Sequence, residues 1–387
     1  MTIATPSSSP SSKSSSSAQP SAPTRRPQIG VDPRTLDASL PETMRALVKH
    51  HAGPGLELVR DRPLPRVAPH DCLVKVSKAG ICGTDRHIWQ WDDWAAGRIP
   101  VGIVTGHEFV GHIVAVGSAV TKYKVGERVS AEGHLTRGRD YLSLTGSKHI
   151  AEDVRIFGID CDGIFADYAS INEDNIWDVH PDISDRHAAT FDPLGNAVHT
   201  VMAAGVSAKT VLISGTGIIG LMAVTVAKAA GASRIYCTDI TPERLTLAKK
   251  LGAHACYHAI DDADWVSTVR KETRGLGVDV LLEMSGNAQA MDQGFAALRP
   301  GGVAALLGLP AKEVTFDFNS NIIFKGCTVK GINGRLMWET WYQVEELIRH
   351  GGIELDDIIT HEYPIDEYEQ AFDTMLTGRG IKVLLNF

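Results

Sequence analysis

The chain has 387 residues, of which 43% are hydrophobic and 22% charged, and it carries a formal net charge of −8. That length suggests two domains and buries roughly three quarters of the unfolded surface, so the core needs no covalent staples. The acidic balance argues against a nucleic acid or a membrane surface as partner, and six scattered cysteines with no CxxC pair exclude a disulfide scaffold and fit a reduced, cytoplasmic compartment.

Residues 1–40 read as a Ser/Pro-rich disordered tail. Residues 1–28, MTIATPSSSPSSKSSSSAQPSAPTRRPQ, show no apolar period and cannot bury enough surface to offset their ordering entropy. They also lack the apolar run of about 7–15 residues that a secretory signal needs. Lys13, Arg25 and Arg26 give the segment a transit-peptide composition, but no amphipathic arginine helix is visible, and a bland tail is the favoured reading.

From Thr43 to about Ala169 the pattern is short strands and turns: Met44–Val48, Asp71–Ala79, Phe109–Val116 and Arg128–Ala131. The alternation in Cys72-Leu73-Val74-Lys75-Val76 predicts an antiparallel β domain. After His199 the texture changes. Strands at Val211–Ser214, Ile235–Thr238, Ala255–His258, Val278–Glu283 and Val303–Leu307 alternate with helices at 218–230, 242–251, 263–273 and 288–298. Strands alternating with helices imply βαβ units and a parallel sheet. The uncharged run from Thr210 to Ala227 approaches membrane-spanning length, but its three glycines favour a strand, a turn and a helix over a span. A helix at 337–350 places Met337, Trp341, Val344 and Ile348 on one stripe, and a closing strand, Ile381–Leu385, returns to the first domain. The expected fold is therefore α/β: an antiparallel β domain over 43–197 and 345–387, and a doubly wound parallel-sheet (Rossmann) domain over 198–344.

Residues 211–220, VLISGTGIIG, carry G-x-G-x-x-G at Gly215, Gly217 and Gly220, after an apolar strand and before a helix. Gly215 serves the tight turn, Gly217 lets the backbone approach a pyrophosphate at the helix N-terminus, and Gly220 lets helix and strand pack closely. Asp239 ends the next strand, 19 residues past Gly220, where an acidic side chain accepts from the adenosine ribose and repels a 2′-phosphate. NAD is favoured over NADP, although Arg244, five residues on, would welcome that phosphate.

Three further segments stand out: Gly80-Ile81-Cys82-Gly83-Thr84-Asp85-Arg86-His87, Gly106-His107-Glu108-Phe109-Val110-Gly111 and Phe191-Asp192-Pro193-Leu194-Gly195-Asn196. Singly each is unremarkable, since a lone Cys is usually a small core hydrophobe. Together they offer sulfur, imidazole nitrogen and carboxylate oxygen, the donors of a Zn²⁺ site with an open position.

On these segments the chain resembles the zinc-dependent medium-chain dehydrogenases over nearly all of residues 43–387. His87-Ile88-Trp89-Gln90-Trp91-Asp92-Asp93-Trp94, the FDPLGNAVH stretch from Phe191 to His199, Leu282-Glu283-Met284-Ser285-Gly286 and Gly334-Arg335-Leu336-Met337-Trp338-Glu339-Thr340-Trp341 resemble its L-threonine 3-dehydrogenase branch. The resemblance implies a GroES-like catalytic domain and hydride transfer from the secondary alcohol of an amino acid to NAD⁺. It implies one catalytic zinc on Cys82, His107 and Glu108, with Asp192 as a further ligand or as an acid behind the ligands. Thr84 and His87 would carry the alcohol proton to solvent; their plain alternatives are a turn cap and a surface histidine. Ile219, Asp239 and Arg244 would surround the adenosine end. Leu307, Gly308, Leu309, Ile332 and Asn333 would line the nicotinamide end. Glu132-Gly133-His134 would border the substrate cleft, and Arg335 would meet a substrate carboxylate or the cofactor diphosphate, or else lie in an interface. Trp89, Trp91 and Trp94 would pack as a cleft wall. A homotetramer or homodimer is implied, with a small-molecule amino-acid or alcohol substrate.

The chain departs from the superfamily where many members hold a structural zinc on four cysteines. Arg137, Asp140, Ser143 and Ala151 stand there, and arginine and alanine offer no ligand atom. No structural zinc is expected, and an Arg137–Asp140 salt bridge would replace it in part. Two alternatives remain: a sorbitol- or 2,3-butanediol-type zinc dehydrogenase, and a non-catalytic NAD(H)-binding protein.

Overall fold

A computed structural model describes residues 40–387; apart from Leu40, the expected tail lies outside the described residues. The N-terminal part is organised round the strand Asp71–Gly80, which pairs with Glu108–Val116 on one side and with Lys382–Asn386 on the other. Arg128–Ala131 and Ile176–Asp178 extend the first side, Ile359–Pro364 extends the second, and Tyr168–Asn172 also pairs with the central strand. All of this pairing is antiparallel except that between Ile359–Pro364 and Lys382–Asn386. The alternation in Asp71–Gly80 has its cause in the two faces. Cys72, Val74 and Val76 enter one apolar cluster with Ile113, Phe165 and Phe372, while Leu73 packs on the opposite side with Val67 and Ala115. The closing strand lies one residue later than expected, and Leu384 pairs with Gly80, 304 positions earlier in the chain.

Two helices, Gly83–Gln90 and Asp93–Arg98, interrupt the region read as strands and turns alone. Their caps explain them. Asp85 accepts from the Cys82 N–H at 2.8 Å, and Asp92 accepts from the Ala95 N–H at 3.0 Å.

The second sheet has six parallel strands. Their spatial order is Ala255–His258, Arg234–Asp239, Thr210–Ser214, Val278–Glu283, Leu298–Leu306 and Thr328–Gly331, that is third, second, first, fourth, fifth and sixth along the chain. The order reverses between Thr210–Ser214 and Val278–Glu283, the switch point beyond whose C-terminal strand ends ligands bind in such sheets. The uncharged run resolves into the strand Thr210–Ser214 and the helix Ile218–Ala229, which is buried all round from Gly220 to Ala227. Among the described residues no helix is long and apolar enough to cross a membrane.

A helix over Phe191–Ala204 joins the two halves. Pro193 and Gly195 hide it in the sequence, yet a proline in the first helical turn is tolerated because its missing N–H would have no partner within the helix. Phe191, Leu194, Val198 and Val201 share one apolar core with Val110 and Leu384 of the first sheet, Val211 and Ile213 of the second, and Trp341. The junctions drawn at 197/198 and 344/345 fall inside Phe191–Ala204 and Glu339–Arg349, two helices that belong to this shared core.

Candidate metal centre and nucleotide crevice

Cys82 follows the strand Asp71–Gly80 and caps the helix Gly83–Gln90, so its thiol position is set by the helix start. His107 precedes and Glu108 opens the strand Glu108–Val116, which pairs Glu108 with Gly80. One ligand atom from each of Cys82, His107 and Glu108 lies within 4.8 Å of the other two. His107 Nδ1 and Glu108 Oε1 are buried with no hydrogen-bond partner. Buried polar atoms almost always have partners, and two orphans on residues that cluster with a thiol suit a cation that accepts sulfur, nitrogen and oxygen ligands. The surroundings are anionic. Burial pulls the His107 imidazole down, but Cys82, Asp85 and Asp192 outweigh it and raise its pKa to about 10. The other carboxylate oxygen of Glu108, Oε2, is paired with Lys382 Nζ, and both side chains are 0% exposed.

Asp192 stands in the first turn of Phe191–Ala204, outside this group of three. Its Oδ1 pairs with Arg335 Nη1 at 2.8 Å. Arg335 corrects the sequence reading. It is 3% exposed within one chain rather than free to meet another subunit, and protein groups occupy its guanidinium rather than leaving it open to a substrate carboxylate or a diphosphate. Its Nε and Nη2 donate to Glu132 at 2.9 and 2.5 Å, Nη1 reaches Asn196 Oδ1 at 3.3 Å, and Nη2 lies 3.0 Å from His134 Nδ1. Trp341 Nε1 also donates to Glu132 Oε2, at 2.9 Å. Burial opposes a charge on Glu132, but Arg335 and His134 outweigh it and hold the carboxyl well below the usual range. Gly195 admits the arginine: a Cβ there would stand 2.6 Å from Arg335 Cγ and Cδ. Glu132 and His134 thus belong to a buried network beside the centre, with the Cβ position of the intervening Gly133 at 3.8 Å from His107 Cβ and 3.9 Å from Asp192 Oδ2.

Thr84 Oγ1 lies 3.7 Å from Cys82 Sγ. His87, one turn along the same helix, is exposed; its Nδ1 meets Asp92 Oδ2 at 2.5 Å and its ring meets Trp94 edge-on. Trp89 stacks on Phe372, and Trp91 takes the Lys49 ammonium on its ring face at 4.5 Å, so both indoles pack against the apolar core of the first domain. In the lobe, the expected Arg137–Asp140 pair is not made. Asp140 instead caps the short helix Tyr141–Leu144, accepting from the N–H groups of Leu142 and Ser143 and from Ser143 Oγ, while Asp153 accepts from the Arg137 N–H and from Thr136. A cap satisfies three donors with one short side chain, which outcompetes an exposed ion pair worth at most ~1 kcal/mol.

At the second sheet, Gly215 has φ +91° and its Cβ would collide with Ser285, whereas nothing lies within 4 Å of the Cβ position of Gly217. Gly220 packs on the Gly215 carbonyl. The helix Ile218–Ala229 has no side-chain cap, Ile219 sits in its first turn, and Thr216 Oγ1 is buried without a partner. Open space, uncapped N–H groups and an orphan hydroxyl at one helix start fit a pyrophosphate. Asp239 already accepts from Thr216, Ile240 and Thr241 N–H groups at 2.6, 2.8 and 3.0 Å. Ile240 and Thr241 take both lone pairs of Oδ1, but Oδ2 accepts from Thr216 alone, so its second lone pair can take a ribose hydroxyl. Arg244 lies in the first turn of Pro242–Leu251, half-buried. Leu307 and Gly308 donate to the Glu283 carbonyl at 2.9 and 3.0 Å, which fixes their loop at the switch point, while Leu309 is 91% exposed. Ile332 donates to the Leu306 carbonyl at 2.9 Å and Asn333 beside it is exposed. Sequence reasoning missed Lys382 altogether; its one cue is a charge heading the apolar strand KVLLN.

A parallel nucleotide-type sheet joined to an antiparallel domain that clusters Cys, His and Glu defines a zinc-binding dehydrogenase. Residues 68–181 match the alcohol dehydrogenase GroES-like domain, and residues 219–350 match the zinc-binding dehydrogenase domain. The chain is 46% identical to an L-threonine 3-dehydrogenase of Symbiobacterium thermophilum, covering 89% of this chain and 98% of the relative, and 44% identical to one of Bacillus subtilis, covering 88% and 98%. The chain belongs to the L-threonine 3-dehydrogenase family. Its fold matches the crystal structure of 2R,3R-butanediol dehydrogenase from Bacillus subtilis (TM-score 0.81, 27% identity, 89% of this chain and 100% of that one). It also matches a zinc-binding dehydrogenase of Sinorhizobium meliloti bound to NADP (TM-score 0.80, 28% identity, 89% and 99%).

Proposed function

We propose that this protein oxidises the secondary alcohol of L-threonine with NAD⁺, giving 2-amino-3-oxobutanoate and NADH. The observation that carries the chemistry is the convergence of Cys82, His107 and Glu108 with two orphaned ligand atoms, one domain away from an open dinucleotide cradle. Cys82, His107 and Glu108 would hold zinc, and Gly215, Gly217, Ile219, Gly220, Asp239, Arg244, Leu307, Gly308, Leu309, Ile332 and Asn333 would hold the nucleotide. When bound, zinc supplies Lewis acidity toward the alcohol and the nicotinamide supplies the hydride acceptor. The chain's own residues do the rest. Thr84, beside Cys82, relays the alcohol proton, releasing its own hydroxyl proton toward His87 as it accepts, and His87, exposed one turn along the same helix, delivers a proton to solvent. Asp92 fixes the His87 ring through Nδ1, leaving Nε2 for proton exchange. Asp192, clamped by Arg335, adds negative charge near His107, as a further ligand or as an acid behind the ligands.

Asp239 supports NAD over NADP, because a 2′-phosphate would meet its carboxylate. A homodimer or homotetramer is part of the proposal. The edge strand Thr328–Gly331 is exposed at every residue and lies near the exposed Phe318, Ile323 and Phe324, an edge of the kind that proteins cover. A cytoplasmic location rests on the six cysteines, all free. The deciding assay follows NADH absorbance with L-threonine, 2,3-butanediol and sorbitol, with and without chelator. Threonine-dependent, chelator-sensitive turnover is the expected result; turnover only with a diol or polyol would transfer the chain to another zinc dehydrogenase activity.

A further inference from the structure

Lys382 and Glu108 come from two strands that flank a third. Gly80, on the central strand Asp71–Gly80, pairs with Glu108 on one side and with Leu384 on the other. Lys382 lies two residues before Leu384 and so projects to the same face. The two long side chains meet above Gly80, and only glycine permits this: a Cβ at position 80 would stand 2.4 Å from Glu108 Oε2, 2.8 Å from Lys382 Cε and 2.9 Å from Lys382 Nζ. Lys382 Nζ also donates to the Ile81 carbonyl at 2.8 Å, next to Cys82. One ammonium therefore ties together the backbone before one ligand and the carboxylate of another.

The pairing is unequal between the oxygens. Glu108 Oε2 is taken by Lys382, whereas Oε1 is buried without a hydrogen-bond partner, on a residue that groups with Cys82 and His107. We propose that Lys382 is a positioning residue of the metal centre, holding Glu108 by one oxygen so that the other alone faces the ion. The inference rests on the metal-centre reading above. A carboxylate free to chelate through both oxygens would fill the position a catalytic zinc keeps open for substrate. The ammonium also offsets one of the two ligand charges, so a centre holding a divalent cation keeps a net positive charge to stabilise a developing alkoxide.

The test uses the full chain stripped of metal and titrated with zinc against a chromophoric chelator, and in parallel with cobalt followed by its visible absorption. Lys382→Met keeps the methylene stem and removes the charge; loss of a partner that orients a ligand lowers metal affinity by roughly 10- to 100-fold. The cobalt bands are expected to weaken as the carboxylate becomes free to chelate. Because Lys382→Met leaves Glu108 buried and unpaired, Glu108→Gln and the neutral Glu108→Gln/Lys382→Met double variant complete a cycle. In the Glu108→Gln background, Lys382→Met should have no further effect on zinc affinity. Wild-type zinc affinity and an unchanged cobalt spectrum in Lys382→Met would overturn the proposal. So would an equal loss in both backgrounds, which would make Lys382 a support of the fold alone. A wild-type chain that takes up no zinc overturns the metal-centre reading itself, an outcome distinct from wild type and variant binding zinc alike.

Discussion

Removing Arg335 should reveal how much of the fold hangs on one guanidinium. The side chain is shared by Glu132 and Asp192, both buried, and it joins the loop before Glu339–Arg349 to the first sheet and to the helix Phe191–Ala204. In Arg335→Met the methylenes still pack on Gly195 of that helix, but two carboxylates lose their cation. Breaking a buried pair from one side costs ~3–5 kcal/mol. Glu132 keeps the Trp341 indole N–H and the His134 N–H groups, and Asp192 keeps its place at a helix N-terminus, so the cost should not double. With an unfolding entropy of about 2.1 cal/mol/K per residue over roughly 350 residues, that cost lowers Tm by ~4–7 °C. Glu132→Gln/Arg335→Met/Asp192→Asn, which leaves no unpaired charge, should recover most of the loss. Gly195→Ala is an independent probe: no charge changes, but the Cβ must push Arg335 aside, so stability and turnover should both fall. Calorimetry with parallel NADH assays reads all three. An Arg335→Met protein that melts within a degree of wild type would refute the reasoning, because it would show that Glu132 and Asp192 need no cation.

Cys82→Ser should lose bound metal and threonine-dependent turnover together, read by elemental analysis and NADH absorbance. His87→Gln should lower kcat by roughly 10²-fold or more if it completes proton transfer, with partial rescue by added imidazole; unchanged kcat would return it to the status of a surface residue. Asp239→Ala removes the acceptor of three backbone N–H groups. At ~1.5–3 kcal/mol per hydrogen bond to a charged group, loss of the bond to the adenosine ribose raises KM for NAD⁺ roughly 10- to 100-fold, and relative use of NADP⁺ should rise. For acid stability, burial opposes the charge on Asp279, but bonds from Thr210 and Arg299 outweigh it and hold its carboxyl below the usual range. A depressed folded pKa means the stabilisation is full above the unfolded value near 3.9 and fades as pH falls through the folded value. The gap in unfolding free energy between wild type and Asp279→Asn should therefore be constant near neutrality and close below about pH 4.

The parallel sheet was legible because each of its elements is locally encoded. Apolar runs alternate with helical periods, Pro242 opens one helix, and Gly215, Gly217 and Gly220 shape the turn before another. The helix Phe191–Ala204 was not legible, because Pro193 and Gly195 carry the local signal of a loop. The proline is harmless in a first turn, and the glycine answers to Arg335, 140 positions away. The helices Gly83–Gln90 and Asp93–Arg98 were missed although Asp85 and Asp92 stand at cap spacing, because no run of apolar residues accompanies them.

The same contrast governs the site. Cys82, His107 and Glu108 lie in short glycine-marked segments, and their donor types alone point to zinc. What balances them is distant: Lys382 reaches Glu108 across 274 positions, and Arg335 reaches Glu132 across 203. A lone lysine heading a strand, or a lone arginine in a loop, reads as solvated surface, since such side chains are almost never fully buried without a partner. The partners exist only once the last strand and the loop before Glu339–Arg349 have folded back onto the first sheet. The cue left in the sequence is the missing side chain, not the charge. Gly80 and Gly195 adopt no unusual backbone angle, yet each sits where a Cβ would strike the arriving cation. Alanine at either position should therefore disturb the charge it accommodates before it disturbs the backbone. Gly80→Ala should weaken zinc binding without moving Asp192, whereas Gly195→Ala should release Asp192 while leaving the Lys382–Glu108 pair intact. If the two variants instead lost zinc and stability to the same extent, the two buried cations would be one coupled unit rather than separate supports of ligand and helix.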